Sequence, residues 1–314
     1  MTTALLRTLA LALLLLAPVS ADAAARLRAK TTPEGETVRY EAAWSEGKTK
    51  RTVTAALPKG PLTADLNAPL RFPSTAAAEA QATAVRAWAK DGLPKSTTLK
   101  VRAAKGGGVL FSVKARSRSA AKDALKKASE IADAELRRFA AAKGFVVDND
   151  RTILPDHARE AAESAAALDA LADALAVGLS ADDPRAFATR ALHFAQSIPY
   201  EKRKNSGDAG FRRPLSLLAK NKGDCDGKTV LFLGLMRARF PELPMAVVLV
   251  PEHAFAAVAL PARGGERTLR HEGVEYVILE PVGPAQVDIG EPSKAGRRGM
   301  RFGRSELRPV PAAR

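Results

Sequence analysis

The 314-residue sequence holds a single cysteine, set in Gly223-Asp224-Cys225-Asp226-Gly227-Lys228 and followed by the apolar run Thr229 to Met236. That run is apolar on all sides, which predicts a buried helix with Cys225 at its N-terminal end. There the unsatisfied backbone N–H groups and the helix dipole lower a thiol pKa. The same N–H groups can stabilise an oxyanion. Asp224 and Asp226 oppose a thiolate, so strong activation needs an imidazolium partner. Downstream, His253, Phe255 and Ala257 fall on one face of a predicted strand. Glu280 stands in a further apolar strand, Tyr276 to Val282. A carboxylate in that setting is costly unless paired, and a histidine that it orients and holds in one tautomer is its natural partner. The order thiol, imidazole, carboxylate is the order of nucleophilic acyl chemistry. The bland alternative for Cys225 is a buried cysteine acting as a small apolar side chain.

Positioning these groups falls to the elements around them. Asp156 is placed to cap an Ala-rich helix carrying Leu168, Leu171 and Leu175, and Asp183-Pro184 opens a second with Phe187, Ala191 and Phe194. Leu215 to Ala219 reads as a short helical turn, Gly207 to Gly210 as an exposed loop, and Met245 to Val250 as a continuous apolar strand. Farther upstream, Val38, Tyr40 and Ala42, then Val53, Ala55 and Leu57, alternate with polar residues as strands do. A helix from Ser74 to Lys90, two strands around Gly106-Gly107-Gly108 and a helix from Ser119 to about Ala142 follow. The triple glycine precedes no Gly-Lys-Ser/Thr and is not a phosphate loop. The fold class expected is α+β. Residues 1–25 read as a signal peptide, 26–145 as a small ββαββα-like accessory domain without chemistry of its own, 146–292 as the domain that carries the chemistry, and 293–314 as a basic, solvated tail. Residues 146–155, with Asp148-Asn149-Asp150, read as a linker.

Four short segments, in order, resemble the transglutaminase-like cysteine fold. Gln196-Ser197-Ile198-Pro199-Tyr200 is similar to the family's segment before the nucleophile. Gly223-Asp224-Cys225-Asp226 resembles its nucleophile turn, Glu252-His253-Ala254-Phe255 its histidine strand, and Leu279-Glu280-Pro281 its acid-bearing strand. The resemblance, over about a third of the chain, implies a papain-like arrangement of a nucleophile helix packed on an antiparallel sheet. It implies a catalytic triad of Cys225, His253 and Glu280 acting on peptide or isopeptide amides, and Gln196 as an oxyanion donor. The thiol and imidazole are then expected within about 4 Å. Three departures stand out. Asp226 follows the cysteine where crosslinking members have tryptophan, Phe255 replaces another tryptophan, and Glu280 stands where many members have Asp.

The remaining histidines point elsewhere. His193 lies beside an apolar stripe and reads as structural, and His157 follows a cap and reads as exposed. His271-Glu272 falls short of the two-histidine zinc motif. No metal and no cofactor are expected. Arg7, the apolar stretch Leu9 to Ala17 and the small residues around Ala23 read as a secretory signal, too short for a membrane span, which implies a periplasmic or secreted protein. A lone thiol in an exported chain cannot form an internal disulfide. The formal charge, 49 − 34 = +15, concentrates in Lys294 to Arg314 and in Lys202, Arg203, Lys204, Arg212 and Arg213. Such patches favour anionic surfaces, but nucleic-acid motifs are absent and no specific nucleic acid is expected. The expected partner is a protein, peptide or cell-envelope amide. The competing class is a catalytically silent binding module of the same fold, docking an envelope partner or polyanion.

Overall fold

The computed structural model describes residues 27–67, 70–201, 211–283, 285–301 and 305–312. The signal-like segment and the Gly207 to Gly210 loop lie outside the described residues. The chain begins with an antiparallel sheet of β1 (Arg28–Glu34), β2 (Thr37–Glu46) and β3 (Thr49–Pro58) in that order. After α1 (Lys59–Asn67) come α2 (Ser74–Gly92), the hairpin β4 (Thr98–Ala103) and β5 (Val109–Lys114), and α3 (Arg118–Ala142). These last four elements share a small core in which Val85, Ala128 and Ala132 are buried and Trp88, Leu99, Val101 and Phe111 pack against them.

A second hairpin, β6 (Phe145–Val147) and β7 (Ile153–Pro155), leads into α4 (His157–Ala176), α5 (Pro184–Ser197), α6 (Pro214–Lys220) and α7 (Cys225–Arg239). The starts of α4 and α5 follow from their caps. The Asp156 side chain accepts from the Arg159 N–H and that of Asp183 from the Ala186 N–H, which satisfies orphan donors of each first turn. The chain then forms β8 (Met245–Val250), β9 (His253–Val258), β10 (Thr268–His271), β11 (Val274–Leu279), α8 (Lys294–Arg301) and β12 (Glu306–Pro309). These strands make one antiparallel sheet in the order β10-β11-β9-β8-β12.

The sheet is covered on both faces. Met245, Val247, Ala256, Val258, Val277 and Leu279 face the helices and share a core with Val230, Leu231, Leu233 and Leu235 of α7. Ala246, Val248, Phe255, Ala257, Tyr276 and Ile278 form the core of the other face, against which Met300 of α8 packs. Two covered faces explain why β8 is apolar without alternation.

The structure departs from the sequence expectations at three places. The buried face of β1–β3, including Val38, Tyr40, Trp44 and Leu57, belongs to the same core as α4, α5 and α7, so a boundary at residue 145 does not divide the core. Trp44 stacks edge-on against Phe194 of α5, with ring centroids 5.3 Å apart. Period-2 alternation shows that a strand has a buried face but not which layer buries it. Residues 146–155 are mostly a short hairpin rather than a linker. Finally, the C-terminal segment is not merely a solvated tail. β12 pairs with β8, Glu306 against Leu249 through Pro309 against Ala246. Arg237, itself 2% exposed, donates to the carbonyls of Pro241, Leu243 and Val310 and so ties this edge strand to α7. The run of arginines masks a short strand whose ladder depends on backbone groups, not on side-chain pattern.

Candidate active site

Asp224 sets the start of α7. It is extended at the N-cap position, and its carboxylate accepts from the Gly227 N–H at 3.0 Å. Cys225 is therefore the first residue of α7, 6% exposed, at the end of a helix that is otherwise buried. Its thiol donates to Asp226 Oδ1 at 3.3 Å, and the Ala254 N–H of β9 points at the sulfur. Burial pushes the thiol pKa well up, and the charges of Asp226 and Asp224 push it further; only the Ala254 N–H acts the other way. In this arrangement Cys225 is a neutral thiol, held by an acid rather than by a base.

β9 brings the imidazole to the same place. β8 turns into β9 through Pro251 and Glu252, with Val250 paired to His253. Glu252 adopts φ +62°, an uncommon conformation for a residue with a side chain, directly before His253. One turn along α7, Thr229 Oγ1 donates to the Ala254 carbonyl at 3.2 Å and fixes helix against strand. His253 Nε2 lies 2.9 Å from Glu280 Oε2, with the His253 side chain 7% exposed and that of Glu280 1%. Ser293 adds its N–H to the same carboxylate oxygen at 3.3 Å. With Nε2 engaged, Nδ1 is the imidazole nitrogen left for a thiol or substrate.

Cys225 and His253 line one cavity of about 780 Å3, together with Asp226, His157 and Tyr200. No hydrogen bond joins the Cys225 sulfur to His253 among the described residues. The structure thus brings His253 and Glu280 into contact and sets Cys225 against the strand residue next to His253. The thiol proton itself is shared with Asp226.

Gln196 is put to a different use from the one expected. It is fully buried, and its amide donates to the carbonyls of Glu280 at 2.9 Å and Val287 at 3.0 Å. Both N–H groups are committed, so none remains for an oxyanion. Gly283 makes this approach possible, since a Cβ there would come 1.9 Å from the Gln196 carbonyl oxygen. Gln196 therefore anchors the end of β11 to α5.

His157 is also corrected. It is 2% exposed, with Nε2 3.8 Å from Asp226 Oδ2 and its ring edge-on to Phe211. A residue after an N-cap is usually exposed, but here the β6–β7 hairpin aims the first turn of α4 into the cavity. His193 lies 3.5 Å from Glu46 and away from the cavity, while His271 is on β10.

Sequence reading passed over Lys228 and the acidity of the cavity. Lys228 has no exposed surface, an environment lysine almost never occupies unless paired. The cavity wall carries Asp148, Asp150, Asp226, Glu252 and Glu306, with no lysine or arginine among its described lining residues. Arg308 pairs with Asp148 and Glu306 and offsets part of that charge. The signal was present as five acids scattered along the sequence, but only the fold gathers them.

Among the described residues, no group of three or more His, Cys, Asp and Glu is arranged to hold a metal ion. Among them, no helix is long and apolar enough to cross a membrane. Comparison with protein-family models, curated proteins and solved structures found no match.

Proposed function

We propose that the chain is an exported thiol-dependent hydrolase or acyltransferase that acts on amide bonds through Cys225, His253 and Glu280. The observation that carries this reading is the single cavity into which a helix-start cysteine and a carboxylate-bound histidine both face. A cysteine helix packed on an antiparallel sheet bearing histidine and acid is also what the transglutaminase-like resemblance implies.

The chemistry balances with these groups alone. His253 Nδ1 takes the thiol proton, leaving thiolate and imidazolium, and Glu280 stabilises the imidazolium through Nε2. The thiolate adds to the amide carbonyl carbon. The tetrahedral oxyanion then collapses, the C–N bond breaks, and the amine leaves with the proton from His253. Water, or a second amine, attacks the resulting thioester while His253 again takes its proton. The thiol is regenerated together with a carboxylic acid or a new amide. The free backbone N–H at the start of α7 takes the oxyanion role in this reading, in place of Gln196. The acidic wall favours neutral or cationic substrates over anionic ones.

The second reading, a silent binding module of the same fold, draws on one observation. The thiol is bonded to Asp226 and its pKa is raised. Amide-directed activity that vanishes in Cys225→Ala while the fold persists supports the enzyme. Activity retained by that variant would assign the chemistry to another residue. Export is tested by the N-terminus of the protein recovered outside the cytoplasm, which begins shortly after Ala23 or Ala25 if residues 1–25 are a cleaved signal.

A further inference from the structure

α8 turns one face to the second sheet and the other to solvent. Gly296 and Gly299 are its buried residues, and Met300 packs against the sheet core beside them. A Cβ on Gly299 would come 2.5 Å from Val250 and one on Gly296 3.3 Å from Glu280 Oε2, so both glycines serve close approach. Lys294, Arg297, Arg298 and Arg301 recur at i, i+3, i+4 and i+7 and form one exposed stripe, roughly 10 Å long at ~1.5 Å per residue. The four line a cavity of about 260 Å3, and Arg267, Arg297, Met300 and Arg301 line another of about 190 Å3. None of these residues lines the Cys225 cavity.

Among the described residues, none of these five cations makes an ion pair or a side-chain hydrogen bond, whereas Arg185, Arg212 and Arg308 are each matched to a carboxylate. Nearby acids are committed elsewhere, Glu266 to Arg185 and Glu280 to His253, and Glu291 pairs with none of the five. The stripe gives the helix nothing. Like charges at these spacings repel, and glycine at two of its eight positions weakens it further. Charges placed where they cost helix stability point to a partner that supplies the opposite sign. We infer that the outer face of α8, together with Arg267, binds the phosphate groups of an anionic polymer. Four of the five cations are arginines, whose planar fork donates in pairs to phosphate oxygens. Two cavities that share Arg297 and Arg301 fit successive phosphates on one chain. A membrane surface fits less well, because the exposed face carries no large apolar side chain to enter a bilayer, Met300 being turned to the sheet.

Isothermal titration of the whole protein with short-chain inorganic polyphosphate reads the site. Replacing Arg297, Arg298 and Arg301 together by glutamine should weaken binding at least about tenfold at low salt and flatten the dependence of affinity on salt. Replacing Lys100, Arg102 and Lys114 by glutamine removes the same charge from exposed positions of β4 and β5, and should change affinity by less than about twofold. Equal losses in the two variants would overturn the inference, leaving only the attraction of a +15 chain for any polyanion. Equal affinity for polyglutamate of matched charge would overturn the preference for phosphate. Tighter binding to phosphatidylglycerol vesicles than to polyphosphate, at equal phosphate, would make the partner a membrane and not a polymer. Should the triple α8 variant fold poorly, Arg297→Gln alone, at a residue both cavities share, should still weaken binding at least about threefold, and unchanged affinity refutes the site.

Discussion

Replacing Asp226 by asparagine keeps the size of the side chain that touches the sulfur and removes its charge. Asp226 Oδ1 is 3.3 Å from Sγ, and the Asp226 side chain is 15% exposed. A thiolate and a carboxylate at that separation repel by about 1 kcal/mol at the dielectric of water and by about 5 kcal/mol at an effective dielectric of about 20. At about 1.4 kcal/mol per pKa unit, the range corresponds to roughly one to four units. Burial remains the larger influence on this thiol and is unaffected by the substitution. Even the lower figure raises the thiolate fraction about tenfold at any pH below the pKa, so Asp226→Asn should alkylate with iodoacetamide at least about tenfold faster at pH 7.5. Pseudo-first-order labelling followed by intact mass reads this directly, with Cys225→Ala as the blank. An equal or slower rate, with the melting temperature preserved, would refute the claim that Asp226 holds the thiol in its neutral form.

Three further outcomes follow from the same geometry. Because the cavity wall is acidic, Cys225 should react faster with cationic 2-bromoethylamine than with anionic iodoacetate, after correction for each reagent's rate with a free thiol, and the ratio should shrink at high salt. A ratio of one at low salt would show that Arg308 neutralises the wall. Glu280→Gln keeps the shape of the site but no longer stabilises an imidazolium, so turnover on an amide substrate should fall by about 10³–10⁴-fold per folded molecule. A loss of melting temperature with turnover intact would instead make Glu280 a structural residue. Burial pushes the Lys228 ammonium down to about 7 from its ordinary 10.5, so between those values the unfolded chain binds more protons and stability rises with pH. Denaturant titrations at pH 7 and pH 10 should show this gain in the wild type and a smaller one in Lys228→Met; equal gains would mean the ammonium is not desolvated.

Much of the architecture was legible because it rests on local signals. Asp156 and Asp183 each cap the helix that follows them, and the capping bonds occur as hydrogen-bonding chemistry requires. The strands of the second sheet were readable from Met245 to Val250 and from His253 to Ala257, as was the Glu280 carboxylate that had to find a partner. What escaped the sequence is long-range. Nothing local in Val38 or Trp44 says that α5 will cover them, and Arg308 gives no sign that its neighbours form a ladder with β8. The Gln196 amide could have faced either the cavity or the end of β11, and only the close passage of Gly283 decides it. Lys228 was hidden because a lysine in an apolar helix reads as its solvent-facing residue, whereas α7 is enclosed along nearly its whole length.

The central claim is that His253 activates Cys225, and the most direct test compares iodoacetamide alkylation of the wild type and His253→Ala from pH 5 to pH 9. The wild type should label at neutral pH, far below the range expected for a buried thiol beside two carboxylates, because transfer of the proton to His253 supplies the thiolate. His253→Ala should label at least about tenfold more slowly at pH 7 and recover only as the pH rises toward the thiol's own pKa. Superimposable profiles for the two proteins would contradict the account and leave Cys225 an ordinary buried thiol bonded to Asp226.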